Sequence, residues 1–324
     1  MEITVEKCPS NADNRQAKIS TILASGDQNI DLISVNDEMI SEFKHKGYLE
    51  PLEKNVMTEK VRDSFPQKYL ESICEENGHI YSVPFQMDIM MFWVNQELLK
   101  QAGLDEIKNT GDFDILQKSL KNPDQYAYGD AWENTYVYNS LSQFVNFWGG
   151  DYFDWTDPKT KDAARYMKSM LDEKNTSPAQ FVDQYEQMEE KFIRGKYGCV
   201  FMYTSALGTF LDADVYGKNK IHMAPLPVLH KKKATNIATW QYVLNNASEN
   251  KDAAVRFLQY AAGYEGSTEY AKIMKSYPAR VDVIENEDID LEGIDMIRKY
   301  LREYTLNARP LCENSMGAVS DMGK

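Results

Sequence analysis

The sequence has few of the residues that build metal and nucleophile sites. Its 324 residues include only four histidines and four cysteines. The cysteines do not stand at the short spacings of a zinc site or a dense disulfide framework, and no two histidines share metal-ligand spacing. We therefore expect no metal and no cofactor. Cys199, inside the apolar run CVFMY, is expected to be a small buried hydrophobe.

Sequence signatures of enzymes are also missing. There is no glycine-rich phosphate loop and no nucleophile elbow. Acidic residues are plentiful, but nothing in the sequence selects a pair that would lie across a glycosidic bond. The acidic runs Glu189-Glu190 and 285–288 are expected to be solvated faces. These absences predict a protein that is not an enzyme.

Basic charge is in deficit. The chain has 36 basic and 50 acidic residues, a formal net charge of −14. A nucleic-acid partner requires a basic surface, so none is expected. The one short basic run, HKKK at 230–233, is expected at a solvated hairpin tip.

Long apolar runs are absent as well. No window approaches the roughly twenty apolar residues of a membrane span. The chain also opens without a signal peptide, because Met1 is followed at once by the strand-like Glu2-Ile3-Thr4-Val5. Either the protein is cytosolic or the chain begins after its native start.

Apolar and aromatic residues, in contrast, are abundant. Hydrophobic residues make up 43% of the chain and aromatic residues 12%, with 20 Tyr and 5 Trp. The length suits two domains. Tyr and Trp combine a flat apolar face with a polar edge, which suits stacking on sugar rings, although most of the tyrosines must be ordinary core and surface residues.

The most informative segment is GHIYSVPFQMDIMMFWVNQELLKQAG, residues 78–103. It starts as an alternating strand, becomes strongly apolar and continues into a helix that ends at Gly103. One acid, Asp88, lies in the apolar part, where an unpaired carboxylate is costly. Two interpretations stay open: a turn aspartate bonded to nearby backbone at a strand end, or a carboxylate at the mouth of a cleft that accepts hydrogen bonds from a polar ligand.

Hydrophobic periodicity predicts alternating strands and helices at the start of the chain. Residues 3–6 fit a short strand, 13–25 a helix ended by Gly26, and 30–35 a continuous apolar strand typical of parallel sheets. Another helix follows Asn36-Asp37-Glu38. This order is typical of a doubly wound α/β domain.

The remainder continues in a mixed α/β pattern. After Gly103 we predict helix to about Leu120 and a loose stretch at 122–129. Further helices are predicted at 136–148, after the start signal Asp157-Pro158, at 184–193, after a Ser248 cap and at 267–275, and further strands at 197–203, 221–227 and 237–244. No linker is visible, which suits a hinged two-lobe protein whose chain passes between lobes through strands.

An ordered set of segments carries a family resemblance. The segments are AKISTILASGDQNIDLISVNDEMISEFKHKGYLEPL (17–52), residues 78–104, Gly149-Gly150, FIRGKYGCVFM (192–202), Ala224-Pro225-Leu226-Pro227, the strand around Trp240, NKDAAVRFLQY (250–260), Tyr277-Pro278-Ala279-Arg280 and Ala308-Arg309-Pro310. Together they resemble the maltose-type extracellular solute-binding proteins (family 1) of ABC sugar importers. The order and spacing hold over nearly the whole chain.

This resemblance implies a fold and a function. The fold is an α/β, two-lobe, periplasmic-binding-protein-like fold of class II type, with a hinge and a ligand cleft between the lobes. The N-terminal lobe is expected at 1–88 and 246–284, without its first strand, and the C-terminal lobe at 89–245 and 285–324. The implied function is that of a substrate-binding component of an ABC importer, which binds a carbohydrate, foremost an oligosaccharide, by lobe closure and delivers it to membrane permease subunits.

The resemblance also bears on the state and location of the protein. We expect a monomer that is, in its full-length form, an extracytoplasmic lipoprotein of the cell surface or a periplasmic protein. Both ends depart from the family: the lipid-attachment signal, first strand and first helix are absent, and SMGAVSDMGK (315–324) resembles the opening turns of a truncated helix. We therefore expect a family member trimmed at both ends.

Ligand contacts are implied residue by residue. The resemblance places them on Asn36, Asp37, Glu38, Asp88, Trp132, Tyr136, Tyr138, Tyr203, Ser205 and Trp240, with Arg280 and Arg309 ranked second. Carboxylates and amides bond vicinal hydroxyls, and aromatic rings stack on sugars. Structural roles stay open: Trp240 as a core residue, Asp37 as a helix N-cap, and the two arginines as pins for hinge and loops. Ala238-Thr239 replace the family's Gly-Gly before Trp240.

Rival functions also stay open. The same fold could bind a polyamine, a metal or another small solute; the shortage of clustered histidines argues against a metal, whereas Asp37, Asp88 and aromatic rings also suit a cation. A glycan-acting enzyme and a receptor ectodomain are the other two rivals.

Overall fold

The computed structural model describes residues 2–9 and 12–312, and these form two compact units. The first unit contains the described residues up to Met87 together with Ala238–Glu292 and residues 311–312, and the second contains Asp88–Ile237 together with Gly293–Pro310. Within the described residues, the chain thus passes from one unit to the other after residues 87, 237, 292 and 310. The lobe boundaries expected after 88, 245 and 284 stay predictions, and SMGAVSDMGK lies outside the described residues.

Helices and strands alternate along the chain, so the α/β prediction is confirmed. In chain order the elements are α1 (Ala12–Ala24), β1 (Leu32–Asn36), α2 (Asp37–His45), α3 (Glu59–Arg62), α4 (Gln67–Tyr69), β2 (Glu75–Glu76), β3 (His79–Ile80), β4 (Ser82–Asn95), α5 (Gln96–Gln101), α6 (Thr110–Ser119), β5 (Tyr126–Gly129), α7 (Val137–Trp148), α8 (Pro158–Asp172), α9 (Tyr185–Ile193), β6 (Tyr197–Tyr203), α10 (Ala206–Asp212), β7 (Ile221–Ala224), β8 (Ala234–Leu244), α11 (Lys251–Ala262), α12 (Tyr264–Met274), α13 (Val281–Ile284), α14 (Ile294–Glu303) and β9 (Thr305–Ala308). A π-helical turn (Leu70–Cys74) and a 3₁₀ turn (Pro178–Val182) complete them. No helix in this described part is long and apolar enough to cross a membrane.

In the first unit, β1 pairs with the second half of β8. The pairing is antiparallel and runs from Leu32 opposite Leu244 to Asn36 opposite Trp240. The prediction of a parallel strand buried on both faces is therefore wrong: Ser34 is exposed between the buried Ile33 and Val35. The apolar run could not reveal this, because its partner strand lies some two hundred residues further along the chain.

The core of the first unit joins α1, β1 and α2. Buried side chains from these three elements pack with Leu49 and Val243; they are Ile19, Leu23, Ile33, Val35, Met39, Ile40 and Phe43. Ile19, Leu23 and their neighbours recur at helical spacing, which is why the helix was predicted correctly. Gly26 follows the helix at φ +65°, a conformation that glycine adopts without strain.

Residues 3–6 are not a strand. Ile3 and Val5 are 58% and 82% exposed, and no ladder forms in the described residues before α1. Alternation over four residues makes a strand only where a neighbouring strand accepts its backbone hydrogen bonds, so the prediction here was wrong.

The second unit has its sheet around β4. β4 pairs antiparallel with both β6 and β7, β5 pairs parallel with β6, and the first half of β8 pairs parallel with β9. Its core is aromatic: Phe92 contacts Phe201 with ring centroids 5.0 Å apart, and the fully buried Trp93 meets Phe210 edge-on at 4.9 Å. Cys199 is also buried, as predicted.

Helix ends in the second unit mostly follow their cap signals. The Asp157 side chain accepts from the Lys159 amide at the start of α8, and α7 ends at Gly149, as predicted. Two predictions fail. The helix expected from Gly103 to Leu120 starts only at Thr110, after an Asn109 capping box, and the stretch predicted as loose contains β5. In the first unit, Ser248 bonds the Asn250 amide, so the helix α11 begins two residues later than its predicted cap implied.

Candidate functional site

Asp88 lies in the interior of the 14-residue strand β4 and is 8% exposed. Its Oδ1 accepts hydrogen bonds from Thr204 Oγ1 at 2.7 Å and from the Ser205 amide at 2.9 Å. The interpretation as a turn aspartate bonded to nearby backbone is therefore wrong, since both partners come from a distant segment that leads into α10. Burial raises the pKa of the Asp88 carboxyl, while these hydrogen bonds and the Arg309 charge act in the opposite direction.

Several predicted ligand residues meet near Asp88. The Tyr203 hydroxyl donates to Asn139 Oδ1 at 3.0 Å, and the Arg309 guanidinium carbon lies 5.8 Å from the centre of the Tyr203 ring. Arg309 Nη1 also donates to the Tyr138 hydroxyl at 2.8 Å. We call these residues, together with Asp88, Tyr136, Tyr185 and Ser205, the Tyr203 cluster. It combines aromatic rings, a carboxylate and a guanidinium.

Tyr185 adds a ring that the sequence does not single out. Its ring meets Tyr136 edge-on at 4.8 Å and Tyr203 at 6.2 Å. Tyr185 is the first residue of α9, and nothing in its sequence neighbourhood distinguishes it from the other tyrosines. Only the packing of α9 places it between two predicted ligand residues.

One helical turn after Tyr185 lies Glu189. The prediction that Glu189-Glu190 form a solvated face is wrong for Glu189, whose side chain is half-buried. Burial first, and then the nearby carboxylates of Glu186 and Asp88, raise the pKa of Glu189 to about 7, against a hydrogen bond with Thr209. The Tyr203 cluster therefore has a titrating acid close to its own buried aspartate.

Trp132 is held by a second buried acid. Its indole nitrogen donates to Asp130 Oδ2 at 2.9 Å, and the Tyr128 hydroxyl donates to the same oxygen at 2.6 Å. Asp130 Oδ1 accepts from Ser140 Oγ at 2.6 Å and from the Ala131 amide at 2.8 Å. Trp132 is only 6% exposed and meets Phe181 edge-on at 5.4 Å. Asp130 was not predicted from the sequence.

In the first unit, Asn36 and Trp240 are direct cross-strand partners. Paired residues of an antiparallel ladder project on the same face of the sheet. Asn36 Nδ2 donates to Glu38 Oε2 at 2.8 Å, whereas Asn36 Oδ1 is buried with no hydrogen-bond partner among the described residues. The half-buried Trp240 carries the Arg15 guanidinium above its ring, 5.4 Å from the ring centre. We call Arg15, Asn36, Glu38 and Trp240 the Trp240 cluster.

Asp37 belongs to an internal network. It is fully buried at the first position of α2, and its Oδ2 accepts from the Tyr69 hydroxyl at 3.1 Å. That hydroxyl in turn bonds Thr239 Oγ1 at 2.8 Å and accepts from Gln241 Nε2 at 3.1 Å. Asn36, not Asp37, occupies the N-cap position. A ligand contact by Asp37 stays a prediction.

Arg280 is likewise engaged inside the first unit. Its guanidinium is bidentate to Asp282, at 3.0 and 2.6 Å, and donates to the Ala262 carbonyl and to Ser64 Oγ at 2.7 and 2.8 Å. With 8% exposure, the side chain ties α11, α13 and the chain near Ser64 together. This geometry matches the alternative prediction that Arg280 has a structural role.

No group of acids, histidines and cysteines in the described ranges 2–9 and 12–312 has the arrangement of a metal site. What the two clusters offer instead is aromatic surface beside hydrogen-bonding groups. Such groups bind polyols without bond-making chemistry.

Comparison with known proteins places the chain in a family. Residues 4–268 match the model of the family described as bacterial extracellular solute-binding protein, so the chain belongs to this family. The family-level prediction is therefore confirmed.

The curated relatives have low sequence identity to this chain. An arabinooligosaccharide-binding protein of Bacillus subtilis is 22% identical over 84% of this chain and 65% of its own length. A probable amino-acid ABC transporter periplasmic-binding protein of Sinorhizobium fredii is 24% identical over 70% of this chain and 54% of its own. The chain thus spans between about half and two thirds of the length of these relatives.

Solved structures show the same fold. An ABC transporter solute-binding protein from Thermotoga lettingae, bound with α-D-tagatose, superposes with a TM-score of 0.81 at 18% identity, over 96% of this chain and 82% of its own. The sugar-binding protein MalE from Xanthomonas citri gives a TM-score of 0.79 at 17% identity, over 99% and 83%. The predicted periplasmic-binding-protein-like fold is confirmed by these likenesses.

Proposed function

We propose that this protein is a carbohydrate-binding component of an ABC importer. The observation that carries the proposal is the Tyr203 cluster, where residues from five distant segments bring aromatic rings together with a buried carboxylate, an amide and a guanidinium. Such groups suit a sugar, because rings stack on its apolar face while charged groups bond its hydroxyls. The relative named as an arabinooligosaccharide-binding protein and the similar structure with bound α-D-tagatose support a carbohydrate, and an oligosaccharide is our first choice.

The rest of the proposal concerns delivery of the ligand, oligomeric state and location. The protein would act as a monomer outside the cytoplasm, either anchored by lipid or free in the periplasm. It would deliver the ligand to membrane permease subunits, without catalysis and without a cofactor. Family membership supports the extracytoplasmic location. Lobe closure on the ligand stays a prediction.

A second candidate ligand is a polyamine or another small organic cation. The observation that favours it is the bonding of Asp88 to the two residues that follow Tyr203, whose ring meets Tyr185, together with the electrostatic interaction between the carboxyls of Asp88 and Glu189. Carboxylates and ring faces both attract ammonium groups. One relative is itself named as a probable amino-acid binding protein.

A thermal-shift screen tests these alternatives. A ligand that binds only the folded state raises the melting temperature. The panel holds arabino- and malto-oligosaccharides, tagatose, mannitol, spermidine, putrescine and amino acids. The proposal predicts a saturable shift with a sugar. A shift with spermidine and none with any sugar would replace it by the second candidate, and turnover of aryl glycosides would show an enzyme instead.

Matched variants locate the site. Trp240→Ala and Asp88→Asn should each weaken sugar binding by about tenfold or more, since each removes a stacking or hydrogen-bonding group. The controls are Trp155→Ala and Asp124→Asn, whose side chains are 43% and 75% exposed and belong to neither cluster. Equal affinity in all four variants would place the ligand elsewhere.

A further inference from the structure

Arg15 continues the buried stripe of α1 beyond the core of the first unit. Ile19 and Leu23, one and two turns after Arg15, are 1% and 4% exposed and pack in that core. Residues four apart share a helix face, so Arg15 lies on the same side of α1. Gln16 Nε2 donates to Glu42 Oε2 at 3.2 Å, which further fixes α1 against α2. The position of Arg15 is thus set by packing rather than by a flexible loop.

The end of this stripe meets Trp240. The Arg15 guanidinium stands 5.4 Å from the centre of the Trp240 ring, within cation–π range. Asn36, opposite Trp240 in the ladder, has a buried Oδ1 that no described residue satisfies. A buried acceptor without a donor is costly, and this one lies beside an aromatic ring and a cation. Asn36 Oδ1 therefore requires a hydrogen-bond donor that the described chain does not supply.

We propose that Arg15 is a further ligand-binding residue, which donates hydrogen bonds to hydroxyls of a sugar whose own hydroxyl donates to Asn36 Oδ1. The inference rests on the proposed carbohydrate function. The guanidinium fork matches two vicinal oxygens, which an ammonium group does not. Because Arg15 covers one face of Trp240, it also fixes where a sugar ring can approach that tryptophan. Arg15 would therefore select ligands by the placement of their hydroxyls.

Isothermal titration calorimetry with Arg15 variants tests the inference, using the sugar that gives the largest shift in the panel above. Arg15→Ala should weaken binding about 10- to 100-fold, and Arg15→Lys should not restore it, because lysine keeps the charge but loses the fork. Arg256→Ala, which removes an exposed arginine of α11 in the same unit, should bind like the unaltered chain. The melting temperature of each unliganded variant shows whether folding is intact.

The possible results distinguish a failure of the Arg15 proposal from a failure of the proposed carbohydrate function. If Arg15→Ala and Arg15→Lys both bind like the unaltered chain while Trp240→Ala does not, Arg15 is only a cover for the ring and the inference is overturned. If Arg15→Ala weakens binding but Arg15→Lys keeps full affinity, the contribution of Arg15 comes from its charge or its cation–π contact. This result would equally overturn the proposed hydrogen-bonding role of the guanidinium. A chain that binds no sugar of the panel removes the proposed function and this inference together.

Discussion

Asp88 and Asp130 are both buried aspartates of the second unit, but their surroundings differ. Asp130 accepts four hydrogen bonds, from Tyr128, Trp132, Ser140 and the Ala131 amide, whereas Asp88 is bonded by the adjacent residues Thr204 and Ser205. A carboxylate with all its lone pairs engaged inside the protein is a structural residue. Asp88 is held by one short segment, so we expect it to be the more available of the two to a ligand.

The sequence could single out Asp88 but not Asp130. Asp88 interrupts an apolar strand, and that contrast is visible locally. Asp130 follows a short Tyr-rich stretch, and its partners on β5 and α7 become neighbours only when the chain folds. The same holds for Arg15, Tyr185 and the Asp37–Tyr69 contact, which join segments that lie far apart in sequence.

Replacing Asp130 by asparagine should destabilise the protein. The amide keeps one acceptor oxygen and turns an NH₂ group toward side chains that need an acceptor. We expect a loss of about 2–3 kcal/mol in the free energy of unfolding, measured by urea denaturation. The control Asp124→Asn, at an exposed surface pair with Lys196, should stay within about 0.5 kcal/mol. Equal stability of the two variants would contradict the structural role of Asp130.

Glu189 should make stability depend on pH. Its pKa is about 7 in the folded protein against 4.5 ordinarily, so the folded state holds the proton more tightly. Stability should therefore fall as pH rises from about 4.5 to 7 and then level off. Glu189→Gln removes this loss, because glutamine does not titrate. At pH 8 we expect its free energy of unfolding to exceed that of the unaltered chain by about 1–2 kcal/mol, a value reduced to allow for the partial exposure of the side chain. At pH 4 the two free energies of unfolding should be equal.

Urea denaturation of both proteins at pH 4, 6 and 8 measures this difference directly. Glu190→Gln is the matched control, since the neighbouring Glu190 is exposed and pairs with Arg194. A constant difference between Glu189→Gln and the unaltered chain across this pH range would refute the assignment.

Elements whose ends carry their own signals were predicted best. The helices bounded by Gly26, Gly149 and Asp157 lie where expected, because capping and positive φ are local properties. Strands and their pairing are predicted less well: residues 3–6 form no strand, β1 is antiparallel, and β5 lies in a stretch whose sequence predicts loose chain. Which strand lies beside which depends on contacts across the whole sequence, and periodicity does not contain that information.

Two glycines test the local part of this account. Gly149 ends α7 at φ +69°, and an added Cβ would meet Lys232 Cγ at 3.3 Å. Gly149→Ala should therefore cost about 1 kcal/mol. Gly208 lies inside α10 with nothing within 4 Å of an added Cβ, so Gly208→Ala should stabilise by about 0.5–1 kcal/mol. Thermal or urea unfolding gives both signs, and a shift in the same direction for both would be incompatible with these backbone conformations.

The ordered segments predict the family, and the match over residues 4–268 confirms it. The fold follows from that membership and from the solved structures. The ligand does not follow, because relatives at 22% and 24% identity are named for an oligosaccharide and for amino acids. Side-chain chemistry in the Tyr203 and Trp240 clusters is what favours a carbohydrate.

The most direct test of carbohydrate binding is isothermal titration calorimetry of the chain with the best sugar of the panel, repeated on Trp240→Ala and Asp88→Asn. We predict one saturable site per chain, with affinity reduced about tenfold or more in both variants. A cooperatively melting protein that takes up spermidine or an amino acid at one saturable site, and releases no heat with any sugar, would contradict the account.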